Sequence, residues 1–205
     1  MNIMVEHPTT YFSQWMTHRS DLLQKLESEA ADKDIPIVGP VVGRLLFLLA
    51  RVSNAGQILE LGTAIGYSAI FMGEACRQNQ GRIITFECDH MMAERARVNI
   101  KEAGLGGVIE VRCQDAYEGL ATLAHPVDMV FLDVEKQDYV KLLPAIEKWI
   151  RPNGLLVADN TGFKDAHEFN RAIHENPGWI SVNLWSYLPG HSPEYDGICI
   201  AVKSH

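Results

Sequence analysis

Two apolar runs of the sequence end in polar side chains that could bind a divalent cation. The run "VFLDVEK" carries Asp133 at its end, and the run "LLVADNT" carries Asp159 and Asn160. Two carboxylates and an amide oxygen are hard ligands that suit Mg²⁺, Ca²⁺ or Mn²⁺, and they leave coordination positions open. The alternative is that Asp133 contacts only an organic cofactor and that Asp159 and Asn160 begin a turn.

Lys136 lies on the loop that follows Asp133 and is a candidate general base. Beside a dication, an amine is held more readily in its neutral form, which can accept a proton from a reacting hydroxyl. Most lysines on loops are only solvated, so the sequence leaves both interpretations of Lys136 open.

A turn with two glycines follows the first apolar run, in "QILELGTAIGYSAIFMGEA". It places Glu60 at the end of the run and Gly62 where the backbone must approach a ligand. Gly66 stands at the start of the next helix, with Ser68 in its first turn. The spacing is G-x-x-x-G, and the sequence contains no G-x-G-x-x-G. The turn therefore predicts a ligand without a phosphate group and argues against a nicotinamide-dependent dehydrogenase.

Acidic residues also follow the next two apolar runs. Glu87 ends "RIITFE", where an acid can accept hydrogen bonds from both ribose hydroxyls of an adenosine group. Taken alone, Glu87 fits a solvated carboxylate equally well, but its position after the glycine turn favours the ribose. Asp115, in "CQDAYEGL", either caps the following helix or lies with Ala116 beside an adenine.

The elements that must position these residues alternate along the chain. Seven short apolar runs predict strands: "QILEL", "RIITFE", "VIEVR", "VDMVFLD", "GLLVAD", "WISVNL" and "GICIAV". Helical patterns between most of them predict an α/β fold, in which a mostly parallel sheet carries helices on both faces. No helical pattern joins the last two runs, so we expect the last strand to be antiparallel. In such a sheet the first, fourth and fifth strands are neighbours, and ligands bind at their carboxyl ends.

Two helices are predicted before the first strand. Thr9 to Ala31 has the spacing of an amphipathic helix, and Val41 to Val52 is nearly all apolar, which predicts a buried helix. The 205 residues fit one domain, with residues 1–55 as a helical cap on a core of residues 56–205.

Composition excludes several classes of protein. Eighteen basic and 26 acidic side chains give a formal charge of −8, which offers no general attraction to nucleic acid. No run is long enough to cross a bilayer, and the start lacks the layout of a secretory signal, so we expect a soluble, cytoplasmic protein without a membrane partner. The cysteines lack metal-ligand spacing and are expected to be reduced core thiols: Cys76, Cys88, Cys113 and Cys199.

Taken in order, these motifs resemble the small metal-dependent, S-adenosylmethionine-dependent O-methyltransferases of the catechol and caffeoyl-CoA type. The resemblance runs from "IPIVGPVVGRLL" to "DGICIAVK" and implies a Rossmann-like methyltransferase fold. The cofactor contacts that it implies are Val38, Glu60, Gly62, Thr63, Ser68, Glu87, Ala116 and Asp133. It implies a metal, Mg²⁺ before Ca²⁺ or Mn²⁺, held by Asp133, Asp159 and Asn160. It makes Lys136 the catalytic base, next to Asp133 in the catalytic centre.

The reaction that the resemblance implies is methyl transfer from S-adenosylmethionine to a hydroxyl of a small, vicinal-dihydroxy aromatic acceptor, by a homodimer. One alternative acceptor is a hydroxylated tRNA nucleoside, against which the charge of −8 argues. The other alternative is a non-catalytic S-adenosylmethionine-binding protein. The joint presence of Asp133, Lys136, Asp159 and Asn160 argues against that alternative, because a binder needs no metal ligands.

The segment before the last strand departs from the family. It reads "LPGHSPEYDG", whereas many bacterial relatives have a shorter form such as "LPIGDG", so His191 to Tyr195 look inserted. Pro189 stands nearest to the substrate-orienting glutamate of catechol O-methyltransferase, and Glu194 is a candidate replacement. The inserted residues either line the acceptor pocket or form a plain solvent loop.

Overall fold

A computed structural model describes residues 4–16 and 19–204 of the chain. The helices are α1 Pro8–Ser13, α2 Asp21–Lys33, α3 Gly39–Val52, α4 Tyr67–Gln78, α5 His90–Glu102, α6 Ala116–Ala121, α7 Tyr139–Trp149 and α8 His167–Glu175. The strands are β1 Gln57–Leu61, β2 Arg82–Glu87, β3 Ile109–Cys113, β4 Val127–Leu132, β5 Ile150–Ala158, β6 Trp179–Tyr187 and β7 Tyr195–Lys203. Short 3₁₀ turns cover Lys136–Asp138 and Lys164–Ala166.

The seven strands form one sheet in the order β3-β2-β1-β4-β5-β7-β6. Strands β1 to β5 are parallel to one another, and β7 runs antiparallel to both β5 and β6. The predicted α/β fold with an antiparallel last strand is therefore confirmed. The strand order reverses between β1 and β4, which brings the carboxyl ends of β1, β4 and β5 side by side.

The central strands are buried on both faces because helices cover each side of the sheet. Successive side chains of a strand point to opposite faces. Phe131 and Val157 therefore join the core under α3, α4 and α5, whereas Val130 and Leu156 join the core under α6, α7 and α8. This double burial explains why the strands read as continuous apolar runs.

The prediction of one helix over Thr9 to Ala31 is wrong, because two helices occupy this region. Helix α2 begins after Ser20, whose side chain accepts a hydrogen bond from the backbone N–H of Leu23 at 3.3 Å. A serine that binds the backbone in this way starts a new helix more readily than it continues an old one. Residues 17 and 18, also within the predicted helix, lie outside the described residues.

Helix α3 is half-buried, whereas its sequence predicts full burial. Val42 and Leu46 are fully buried in the core, but Leu48 is 50% exposed and Val52 is 79% exposed. The helix lies on the outside of the molecule, so only one of its sides meets the core. An apolar strip of α3 therefore faces solvent.

The expectation of core thiols is correct for two of the four cysteines. Cys76 and Cys199 are buried, Cys113 is half-buried, and Cys88 is exposed on the loop after β2. All four are free thiols. The described part of the chain contains no helix with the length and apolar character needed to cross a bilayer.

Candidate active site

A cleft of about 380 Å³ opens at the carboxyl ends of the parallel strands. The loops after β1, β2, β3, β4 and β5 form its walls, together with Ile35, Pro36 and Ile37 before α3 and Ser192 after β6. Its volume lies in the range of small-molecule sites. The cleft thus lies where the reversal of strand order leaves room for a ligand.

Gly62 brings the ends of β1 and β4 into direct backbone contact. Its φ is 98°, and a Cβ atom there would lie 1.9 Å from the carbonyl oxygen of Asp133. Only glycine fits this combination of a left-handed backbone and a close approach. Gly66, with φ 85°, stands at the N-terminus of α4 as predicted. The turn is therefore shaped by backbone packing, and it leaves Gly62 and Thr63 on the cleft wall.

Glu60 is the centre of a buried hydrogen-bond network beneath the cleft. Its carboxylate accepts hydrogen bonds from the hydroxyls of Ser68 at 2.6 Å and Thr85 at 2.5 Å. The Thr63 hydroxyl lies 2.5 Å from that of Thr85. Burial raises the pKa of Glu60 to about 8, although both hydroxyl bonds act to lower it. The network fixes the turn that forms one wall of the cleft.

Three of the predicted cofactor contacts lie behind the cleft wall. Glu60 and Ser68 bond to each other, and Val38 is buried with only 3% of its surface exposed. The cleft is instead lined by the neighbouring Ile37. The structure thus separates the predicted set into residues that face the cleft and residues that support it.

Glu87 faces the cleft with its carboxylate held by two backbone groups. One oxygen accepts the N–H of Ala64 at 2.8 Å, and the other accepts the N–H of Asp89 at 2.9 Å. A carboxylate oxygen can accept more than one hydrogen bond, so both oxygens keep accepting capacity. Glu87 is therefore oriented to receive two hydroxyl groups.

Asp115 caps helix α6 and also lines the cleft. Its Oδ1 accepts the backbone N–H of Tyr117 at 2.8 Å, which is the capping interaction that the sequence allowed. Ala116, the first residue of α6, lies next to it on the same wall. Asp115 can therefore cap α6 and still lie beside a ligand in the cleft, so the two predicted roles are compatible.

Asp133 and Lys136 form an ion pair in the cleft. The Nζ atom of Lys136 lies 2.9 Å from Oδ1 of Asp133 and 3.0 Å from the carbonyl oxygen of Val134. The side chains are 20% and 24% exposed, so both reach the cleft and water. The predicted base is thus directly bonded to a predicted metal ligand.

Asp159 is buried beside a histidine that the sequence analysis left without a role. His191 Nε2 lies 2.8 Å and 3.0 Å from the two carboxylate oxygens of Asp159. Burial raises the pKa of Asp159, and the charge of Asp133 raises it further, while the hydrogen bond to His191 lowers it. Burial lowers the pKa of His191, but the bond and charge of Asp159 outweigh this and raise it overall.

Asn160 adopts a left-handed backbone, with φ 50°, two residues after the end of β5. Its Nδ2 donates to Oδ2 of Asp196 at 2.6 Å and to the carbonyl oxygen of Ser192 at 3.2 Å. Asp196 is itself held by the backbone N–H of Gly162 at 3.0 Å. The amide nitrogen of Asn160 is thus used by the protein, and the amide oxygen is the atom that could bind a cation.

The predicted metal ligands suit a dication, although they form no ready-made cage. Asp133, Asp159 and Asn160 line the same cleft at the ends of neighbouring strands. The two carboxylates repel each other, and Asp159 is only 2% exposed, so a cation would offset an unfavourable charge. Across residues 4–16 and 19–204, no three side chains of His, Cys, Asp or Glu converge closely enough to hold a metal.

His191 and Asp196 are two polar residues beside the predicted metal ligands whose roles the sequence did not predict. The apparent insertion of the segment that contains His191 was the one indication of a special role. The contact itself could not be predicted, because its partner Asp159 is distant in sequence. The segment is not a plain solvent loop, because His191 is buried and Ser192 lines the cleft. Glu194 is exposed and accepts the N–H of Gly190 at 3.3 Å within the loop.

Fold and cleft together define a class: a Rossmann-like α/β protein with a ligand site at the carboxyl ends of its parallel strands. A family model described as O-methyltransferase matches residues 14–172. The catechol O-methyltransferase of Niastella koreensis is 37% identical over 221 residues, which cover 98% of each chain.

Solved structures agree with this match. The O-methyltransferase TomG from Streptomyces achromogenes, in complex with SAM, has a TM-score of 0.86 and 28% identity, over 98% of this chain and 100% of that one. The O-methyltransferase from Bacillus cereus, in complex with SAH, has a TM-score of 0.86 and 27% identity, over 96% and 97%. The chain therefore belongs to the O-methyltransferase family, and it is an S-adenosylmethionine-dependent enzyme.

Proposed function

We propose that this O-methyltransferase moves the methyl group of S-adenosylmethionine to one hydroxyl of a small aromatic acceptor with two adjacent hydroxyls. The observation that carries the proposal is that one cleft joins the oriented carboxylate of Glu87 to the polar set of Asp133, Asp159 and Asn160. The carboxylate of Glu87 suits a ribose. The set of three polar side chains suits a cation beside a pair of acceptor oxygens. The name of the Niastella koreensis relative supports a catechol-like acceptor.

The cofactor is proposed to bind along the β1, β2 and β3 side of the cleft. Glu87 would accept the two ribose hydroxyls, while Asp115 and Ala116 would flank the adenine. Gly62 and Thr63 would lie against the methionine part, where the absence of a side chain at Gly62 lets the ligand approach the backbone. Glu60, Ser68 and Val38 would act indirectly, by holding this wall in place.

The cation is proposed to be held by oxygen atoms of Asp133, Asp159 and Asn160. Such ligands fit Mg²⁺, Ca²⁺ or Mn²⁺. When bound, a dication supplies Lewis-acid chemistry, which favours the ionised form of an acceptor hydroxyl and fixes its orientation.

Lys136 is proposed to accept the proton of that hydroxyl, a role that requires the neutral amine and the replacement of its ion pair with Asp133 by the bond of Asp133 to the cation. Its Nζ reaches the cleft, and its bond to Asp133 at 2.9 Å holds it beside the proposed cation site. Transfer needs the acceptor oxygen about 3 Å from the methyl carbon, in line with the departing sulfur. The protein therefore contributes mainly orientation and the removal of one proton.

The acceptor is proposed to extend into a second cavity that adjoins the cleft. This cavity of about 390 Å³ shares Ile35, Pro36, Ile37 and Ser192 with the cleft, and Pro189 also lines it. The shared residues are mostly apolar, which suits the flat face of an aromatic ring. The helical segment of residues 1–55 would thus act as a cap that completes the acceptor site on the core of residues 56–205.

The reaction is tested by methyl transfer from labelled S-adenosylmethionine to matched pairs of vicinal diols and single phenols. Each reaction is run with Mg²⁺, with Mn²⁺ and with chelator. We expect transfer to the diols alone, and we expect chelator to stop it. Cofactor binding without methylation of any diol would contradict the proposed acceptor and make a hydroxylated tRNA nucleoside the next substrate to test.

We also propose that the enzyme is a homodimer. The support is an exposed apolar surface formed by α1, the turn after it and α3, where Phe12 is 63%, Trp15 is 65% and Leu48 is 50% exposed. Patches of this kind usually mark contact sites. Light scattering on the purified enzyme tests the proposal, and a monomeric mass at micromolar concentration would contradict it.

A further inference from the structure

We propose that Tyr139 is a positioning residue of the reaction, whose hydroxyl fixes the distance between the strand ends that carry Asp133 and Asp159. The inference rests on the cation site of the proposed function, and it adds a residue to which the sequence assigned no role. The side chain of Tyr139 is fully buried and does not line the cleft. It therefore acts through the two aspartates and not on the acceptor itself.

The hydroxyl of Tyr139 bonds to the backbone of both strand ends. Its oxygen lies 3.1 Å from the carbonyl oxygen of Leu132, the last residue of β4, and 3.0 Å from the carbonyl oxygen of Asp159, the first residue after β5. Carbonyl oxygens can only accept, so the two oxygens share the single hydroxyl hydrogen. One side-chain atom therefore joins the residue before Asp133 to Asp159.

This bond lies where the backbone pairing between β4 and β5 ends. Beyond the paired residues of these strands, the N–H of Asp159 donates to the carbonyl oxygen of Leu132 at 3.0 Å. The N–H of Asp133 donates instead to the carbonyl oxygen of Leu61, in β1, at 2.8 Å. The backbones of the two aspartates are thus bonded to different strands. The hydroxyl of Tyr139 adds a second link between the end of β4 and Asp159.

The ring of Tyr139 is held in place by its surroundings, as a link of this kind requires. It packs edge-to-face on Phe169, with 5.4 Å between the ring centroids. Tyr139 is also the first residue of α7, three residues after Lys136, whose Nζ lies 5.7 Å from the centroid of the tyrosine ring. The loop with the proposed base and the two strand ends with the proposed ligands therefore meet at one side chain.

The two carboxylates need such a restraint because their like charges repel each other. A cation that both of them bind requires a defined separation of their oxygens, and residues behind the ligands commonly set that separation. Without the hydroxyl, the carbonyl oxygen of Asp159 loses this bond, and the two strand ends are free to move apart.

We expect Tyr139→Phe to weaken Mg²⁺ binding by about tenfold or more, as is usual when a residue behind a metal ligand is removed. The affinity for S-adenosylmethionine should stay nearly constant, because the proposed cofactor wall follows β1, β2 and β3. The variant keeps the ring, and with it the contacts to Phe169 and Lys136, so the comparison isolates the hydroxyl.

Titration calorimetry of Mg²⁺ into the full-length enzyme, with saturating S-adenosylmethionine present, tests the inference. Methyl transfer at increasing Mg²⁺ concentrations should show the same shift in the concentration that gives half of the maximal rate. Ile146→Val is the control for stability, since Ile146 is fully buried in the same helix and does not line the cleft. It should lower the Tm without weakening Mg²⁺ binding.

An unchanged Mg²⁺ affinity in folded Tyr139→Phe, with a Tm lowered as in Ile146→Val, would overturn the inference and leave the proposed reaction intact. A wild-type enzyme that binds S-adenosylmethionine but not Mg²⁺ or Mn²⁺ would remove the proposed cation site together with this inference. Phe169→Leu decides the question if Tyr139→Phe does not fold, because it keeps the hydroxyl but removes the ring that orients it. Unchanged Mg²⁺ affinity in Phe169→Leu would then overturn the inference.

Discussion

Glu87 and Asp159 are both carboxylates at strand ends, yet their surroundings give them different chemistry. Glu87 accepts two backbone N–H groups and reaches the cleft, so its carboxylate is held in one orientation and suits the proposed bonds to ribose hydroxyls. Asp159 is buried next to a second carboxylate, and burial raises its pKa, so it requires a cation or a proton. Residue type alone does not distinguish a hydrogen-bond acceptor from a site for a cation. The burial of the carboxylate and the charges of the side chains around it make the difference.

Lys136→Ala tests the proposed proton transfer. We expect kcat to fall by about 10² to 10⁴-fold, while the Kd for S-adenosylmethionine stays nearly constant, because a general base acts on the chemical step. Lys141→Ala is the matched control, since Lys141 is exposed and pairs with Asp138 at 2.7 Å. A loss confined to cofactor affinity would show that Lys136 binds the cofactor and is not the base.

Glu60→Gln tests the buried network through the pH dependence of stability. The pKa of Glu60 is about 8 in the folded protein, above its ordinary value of 4.5, so the folded state holds the proton more tightly than the unfolded chain. This contribution to stability is complete below about pH 4.5 and is lost as the pH rises through about 8.

We therefore expect the free energy of unfolding of the wild type to fall between pH 5 and pH 8 relative to that of Glu60→Gln. Urea unfolding at several pH values measures the difference. Parallel curves for the two proteins would mean that folding leaves the pKa of Glu60 near its ordinary value of 4.5.

At the scale of elements, the break between α1 and α2 depends on Ser20. Ser20→Ala removes the capping hydrogen bond and should destabilise the protein by about 1 kcal/mol, which lowers the Tm by roughly 2–4 °C. Ser28→Ala is the control, because Ser28 lies inside α2 and bonds only to the carbonyl oxygen of Gln24 at 3.1 Å. Equal effects of the two substitutions would assign no capping role to Ser20.

The helices and strands could be predicted wherever a single hydrophobic pattern dominated the segment. The parallel strands are buried on both faces, so their apolar runs were unambiguous, and the missing helix between β6 and β7 correctly indicated an antiparallel strand. The prediction of a single first helix was wrong because the apolar spacing continues across Ser20. The side chain of Ser20 caps the N-terminus of α2 and so starts a new helix there. The bond between His191 and Asp159 could not be predicted, since it depends on the path of a loop relative to a distant strand end.

At the scale of the whole molecule, the order of the strands determines which residues meet in the cleft. The cleft brings together residues from the loops after all five parallel strands, and the helices on both faces bury those strands. Asp133 and Lys136, like Asp159 and Asn160, are close in sequence, so their spacing is local. The distances between loops that follow different strands depend on the folded sheet.

Gly62→Ala tests the contact that joins the two halves of this sheet. A Cβ atom would overlap the carbonyl oxygen of Asp133, so we expect destabilisation by about 2 kcal/mol or more and a loss of cofactor binding. Gly106→Ala is the control, because nothing lies within 4 Å of its Cβ position. Thermal unfolding and titration calorimetry measure both effects, and a fully stable Gly62→Ala variant would contradict the observed contact.

The backbone contact between Gly62 and Asp133 has a consequence for how the acceptor site could be altered. In the proposed arrangement, the cofactor wall after β1 and the cation site after β4 would be held together by main-chain atoms. Residues 189–192, by contrast, line the proposed acceptor cavity from a loop outside the sheet. A change in that loop would therefore reshape the acceptor cavity without changing the contact between Gly62 and Asp133.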